Sequence, residues 1–102
     1  MIPIIRYHHA AEDELLAEIG FLEGRVPGLG RRFYAEVKRA EKFLEQFPES
    51  APELAPDIRQ HPLHKFPFSL LYSIQHDGLL ILAVAHHRRR PRYWIGRVTG
   101  QG

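Results

Sequence analysis

The chain contains no cysteine, which excludes disulfide cross-links, thiolate nucleophiles and cysteine metal ligands. It also lacks a long hydrophobic run. No stretch approaches the roughly 20 apolar residues that a membrane span requires. The N-terminus, Met1-Ile2-Pro3-Ile4-Ile5-Arg6, has neither the basic start nor the extended apolar stretch of a secretory signal. These absences point to a cytoplasmic protein. Acidic residues are scarce in the second half, where Asp77 is the only one after residue 57.

That scarcity divides the chain electrically. Residues 1–57 carry seven Lys/Arg against eleven Asp/Glu, a balance of −4, and residues 58–102 carry seven against one, a balance of +6. Such asymmetry describes an acidic scaffold with a basic working face, suited to phosphates or to an acidic protein segment. With 102 residues, the chain is expected to form a single domain over 1–102, burying roughly 60–70% of its unfolded surface.

The periodicity predicts an α+β fold. Ile2 to Tyr7 is short, apolar and β-branched, as in a strand. Glu12, Asp13 and Glu14 then crowd a helix N-terminus, where acidic groups complement the dipole. Leu15, Ile19, Leu22 and Val26 mark its buried stripe, and Pro27-Gly28-Leu29-Gly30 ends it. Phe33, Val37, Ala40, Leu44 and Phe47 share one face of a second helix, stopped by Pro48. So short a link makes the two helices an antiparallel hairpin. Residues 49–57, holding Pro52 and Pro56, read as an irregular connection.

Beyond it the period becomes two. Residues 59–65 form a possible strand weakened by Pro62. Phe68, Leu70, Tyr72 and Ile74 alternate with Ser69, Leu71, Ser73 and Gln75. Asp77-Gly78 is a two-residue hairpin signal, and Leu79 to Ala85 is a nearly continuous apolar strand. The expected architecture is an N-terminal strand, an antiparallel two-helix hairpin and an antiparallel β-meander, with the helices packed on one sheet face.

The last strand runs directly into His86-His87-Arg88-Arg89-Arg90-Pro91-Arg92-Tyr93-Trp94-Ile95-Gly96-Arg97. Arginine forks grip phosphate and carboxylate, and Tyr and Trp offer faces for stacking or for anchoring a partner. Pro91 fixes the chain direction within this basic corner. We therefore expect a recognition surface made by Arg59, His64, Lys65, Arg89, Arg90, Arg92, Trp94 and Arg97. Trp94 is expected to be exposed to a partner, although it could instead cover the edge of the core. If the chain is a ribonuclease, His86, Arg88 and Tyr93 are the candidates for proton transfer and phosphorane stabilisation. His86 could equally be a strand-end residue bonded to nearby backbone. The seven histidines do not follow zinc-ligand spacing, so no metal and no cofactor are expected.

These blocks, in this order, resemble the RelE/ParE superfamily of toxins from type II toxin–antitoxin modules. The resemblance rests on Ala10-Ala11-Glu12-Asp13, the Phe33-Tyr34 pair, and Phe66-Pro67-Phe68-x-Leu70-Leu71-Tyr72. It extends through Ile81-Leu82-Ala83-Val84-Ala85-His86 and Arg89-x-Pro91-x-Tyr93-Trp94-x-x-Arg97. It is closest to the ParE-type, plasmid-stabilisation branch. The resemblance implies a growth-inhibiting toxin that binds a cognate antitoxin, in a possible hetero-oligomer. It acts either by inhibiting DNA gyrase without a reaction of its own or as an mRNA interferase on the ribosome. The RelE-type pattern places lysines where this chain reads Arg59-Gln60-His61-Pro62, and arginine where Ser69 stands. Many ParE-like relatives also carry arginine at the Ser69 position.

Overall fold

The structure is a computed structural model and describes residues 4–98. Strand β1 (Ile4–Tyr7) leads into helix α1 (His9–Arg25), and helix α2 (Leu29–Gln46) returns alongside it. Four further strands follow, β2 (Glu53–Ala55), β3 (Ile58–Pro62), β4 (Phe68–Gln75) and β5 (Gly78–His86), before a short helix α3 (Ile95–Val98). They form one five-stranded sheet in the order β1-β5-β4-β3-β2. Pairing is antiparallel from β2 through β5, whereas β1 runs parallel to β5. The connection between these two parallel strands is long, running through the helical hairpin and then β2, β3 and β4 before β5 returns beside β1. The sheet is therefore mixed, and the expected meander gains the edge strand β2 within a segment read as irregular.

The main core lies between the hairpin and one sheet face. Ala11 and Leu15 of α1 and Phe33, Val37, Ala40 and Leu44 of α2 meet Phe68, Leu70, Tyr72, Leu79, Ile81 and Val84. Burying each large side chain is worth about 1.5–3 kcal/mol. Val26 and Phe47, expected on buried stripes, lie at helix ends and remain exposed. Close approach of the helices depends on Gly30, where a Cβ would come within 2.3 Å of the Ile19 carbonyl oxygen. Glu23 of α1 secures the turn by accepting hydrogen bonds from the Gly28 and Gly30 amides at 2.7 and 3.0 Å.

The hairpin signal falls one residue off. Gln75 pairs with Gly78, which leaves His76-Asp77 as the turn. Gly78 instead lets β1 approach, because a Cβ there would lie 1.9 Å from the Ile4 carbonyl oxygen. Within β5 the register slips between Leu71–Ala83 and Tyr72–Ile81, so Leu82 is an extra residue. This bulge turns Leu82 and Ala83 to the second sheet face. There they pack with Ile58, Leu71 and Trp94 in a smaller cluster.

Candidate functional site

The second cluster determines the shape of the C-terminal corner. Trp94 is only 3% exposed and closes this face of the sheet. The expectation of an exposed Trp94 is thus corrected: its indole is the plug that docks the corner, because the bulged strand presents an apolar surface needing cover. Arg92 has φ 63°, a left-handed backbone uncommon for a residue with a side chain. That turn lets Tyr93 and Trp94 drop onto the sheet while Arg88, Arg89, Arg90 and Arg92 stay exposed.

Around the corner is a cavity of about 260 Å³. Arg89, Arg90, Arg92, His86 and His87 line it, together with apolar surface from Leu54, Leu71, Ala85 and Trp94. The Arg89 guanidinium lies 3.9 Å from the centre of the Tyr93 ring, a cation–π contact. Arg88, Arg90 and Arg92 form no ion pair among the described residues.

Beside the cavity runs a polar chain. Gln60 Nε2 donates to Ser69 Oγ at 3.3 Å, and Ser69 Oγ lies 2.9 Å from His87 Nε2. Ser69 is 1% exposed, so its hydroxyl acts as a buried linker and not as a basic contact for a partner. The sequence marked Ser69 as a departure, but its partners became evident only once β3, β4 and the end of β5 were adjacent.

Glu14 is the residue that sequence reasoning missed. Pairing of β1 with β5 stops at Tyr7–Ile81, which leaves the backbone of β5 unpaired on that side. Glu14 Oε1 accepts the Val84 amide at 3.0 Å, and Arg97 Nη1 donates to the Leu82 carbonyl at 2.9 Å. Arg97 also grips Glu14 with two nitrogens, at 3.0 and 2.8 Å, and the Tyr93 hydroxyl donates to Glu14 Oε2 at 2.8 Å. Burial opposes ionisation of Glu14, but hydrogen bonds from Arg97, Tyr93 and the Val84 amide outweigh it and hold the carboxyl below its ordinary range. Burial, followed by the Glu14 contact, pushes the Tyr93 phenol up to about 12.

The remaining candidates disperse. Arg59 is committed to the Glu49 and Ala51 carbonyls, at 3.2 and 2.6 Å. His64 and Lys65 lie beside α2, where they line a separate hollow with Arg32, Glu36 and Arg39. The His64 amide donates to Glu36 at 2.8 Å. Arg97 is partly buried in its pair with Glu14. His86 packs edge-on against Phe68, and its Nδ1 accepts the Arg88 amide at 3.0 Å. Of the expected recognition set, only Arg89, Arg90, Arg92 and Trp94 line the cavity at the corner. No group of three or more metal-ligating side chains converges among the described residues.

A sheet of this order beneath a helical hairpin, ending in a basic corner, now stands beside known proteins. The family model for the ParE toxin of the type II toxin–antitoxin system, parDE, matches residues 5–91. The chain belongs to the ParE toxin family. Tyr93, Trp94 and Arg97 lie beyond the matched span, so their roles rest on the structure. A solved chain described as "Chromosomal ParDE TA system from P. aeruginosa" has the same fold, with a TM-score of 0.71 at 18% identity. The similarity covers 83% of this chain and 96% of that one. No curated protein matches the chain. No described helix is long and apolar enough to cross a membrane.

Proposed function

We propose that this ParE-family chain is a cytoplasmic, growth-inhibiting toxin that acts by binding a protein target such as DNA gyrase. One contrast at the corner supports this reading. Arg90 and Arg92 are exposed, form no ion pair among the described residues and line an apolar-floored cavity, whereas the Tyr93 hydroxyl and His86 Nδ1 are engaged internally. The Tyr93 hydroxyl is bonded to a carboxylate and His86 Nδ1 is occupied by a backbone amide. A ribonuclease needs an available acid and base at one phosphate, but a binding inhibitor needs only oriented cations and an apolar anchor site.

A cognate antitoxin completes this reading. An acidic, partly disordered segment would be attracted to the basic corner, and ordering on contact suits a neutraliser that must be removable. His64 and Lys65 provide a second basic region beside α2, available to a segment long enough to wrap the domain.

Induction of the chain alone in a bacterial host, with plasmid supercoiling and RNA 5′ ends followed together, tests the proposal. The expected result is arrested growth with lost supercoiling and intact messages. New cuts within translated codons would replace this reading with ribosome-dependent mRNA cleavage. Arg90→Ala and Arg92→Ala should each relieve growth arrest while changing stability by less than about 0.5 kcal/mol, as expected of exposed side chains with no ion pair among the described residues.

A further inference from the structure

Glu14 belongs to α1, far in sequence from the corner, and has no exposed role of its own. Its carboxylate nevertheless collects four donors: the Val84 amide, the Tyr93 hydroxyl and two Arg97 nitrogens. The first of these fixes it to β5, and the others belong to the C-terminal segment. Two of the segment's side chains therefore end on one carboxylate, on either side of buried Trp94. The Tyr93 ring in turn supports the Arg89 guanidinium. A connected path runs from α1 through Tyr93 to an exposed arginine.

We infer that Glu14 is a positioning residue that clamps the C-terminal segment onto the sheet and so holds the basic corner in the shape its target recognises. The physical argument is one of entropy. Among the described residues, α3 is only four residues long, too short to be a stable helix by itself. The segment's order must come from tertiary contacts, which Trp94 supplies through apolar burial and Glu14 through directional bonds. Burial alone would leave the segment free to rock about the indole. The two-pronged Arg97 pair and the Tyr93 bond fix its rotation, and with it the direction of Arg89, Arg90 and Arg92.

This inference rests on the toxin reading for its biological consequence, but its physical content is testable on the free protein. Trp94 is the only tryptophan, so acrylamide quenching of its fluorescence reports directly whether the segment stays docked. Glu14→Gln keeps the size and an acceptor for the Val84 amide while removing the charge that holds Arg97. It should raise the quenching constant about threefold through local opening without global unfolding. It should also raise survival on induction about tenfold, within the range for residues coupled to a site they do not touch. A double-mutant cycle of Glu14→Gln with Arg97→Gln should be strongly non-additive.

Val37→Ala, a core truncation within α2, controls for general destabilisation and should leave both readouts near wild type when the protein is folded. Unchanged quenching or undiminished growth arrest in Glu14→Gln would overturn the inference, as would equal effects from Val37→Ala. If Glu14→Gln does not fold, Arg97→Gln and Tyr93→Phe each remove one arm of the clamp and must produce the same two changes. Failure of the wild type to arrest growth would remove the toxin reading, and quenching alone would then decide whether the clamp exists.

Discussion

Each aromatic residue at the corner has a distinct physical role. Trp94 supplies area, since its indole closes the second sheet face between Ile58, Leu71 and Leu82. Trp94→Ala should cost about 3–5 kcal/mol, the usual loss for removing a large aromatic from a packed site, measured by urea denaturation. Tyr93 supplies direction through its hydroxyl, and the sign of its pH effect follows from its raised pKa. The folded state favours the neutral phenol, so the stabilisation is fully present below about pH 10 and disappears as pH rises towards about 12. Thermal melting between pH 8 and pH 12 should reveal this loss, and Tyr93→Phe should lack that component.

Elements in this fold are held at specific close approaches, and two glycines mark them. Gly78 permits β1 to pair beside β5, and Gly30 permits α1 and α2 to pack. Gly78→Ala would drive a Cβ into the Ile4 carbonyl oxygen and should cost about 1–3 kcal/mol, in the manner of an overpacked site. Hydrogen exchange should show the opening concentrated at amides that bond β5 or its turn, such as Ile4 and His8, which donate to the Asp77 and Ile81 carbonyls, with the β3–β4 ladder largely unchanged. The other end of this β1–β5 junction is where Glu14 and Arg97 satisfy exposed strand backbone. Termination of β1 at Tyr7 is therefore what creates the place for the clamp.

Across the molecule, the carboxylates that bind structure are distributed over both helices. Glu14 is held below its ordinary range as described, and Glu36 is lowered chiefly by hydrogen bonding to Arg39. Groups depressed in the folded state contribute stability above their unfolded pKa, near 4.5, and lose it as pH falls through the folded value. Acid unfolding should therefore begin below about pH 4.5, and Glu14→Gln should flatten the transition followed by circular dichroism. The basic half acts over longer range. Association of the corner with an acidic partner should weaken as salt rises, mainly through a slower on-rate, which kinetics at two ionic strengths would detect.

The helical hairpin and the strands of the meander were legible in the sequence because an apolar stripe has one period in a helix and another in a strand. Phe33, Val37, Ala40 and Leu44 declared one buried face, and Phe68, Leu70 and Tyr72 declared another. The basic corner was legible as well, since its arginines are contiguous. Contiguity did not reveal which of them were free. Arg59 and Arg97 look like Arg90 on paper, yet carbonyls and a carboxylate distant in sequence occupy them. Trp94 likewise read either as a partner anchor or as cover for the core, because the surface that receives it exists only after a bulge in β5 turns Leu82 and Ala83 towards it. Local pattern determined the elements and the charge of the working face. Tertiary structure alone decided that Glu14 would meet Tyr93 and Arg97, because their meeting depends on where β1 ends and not on any spacing along the chain.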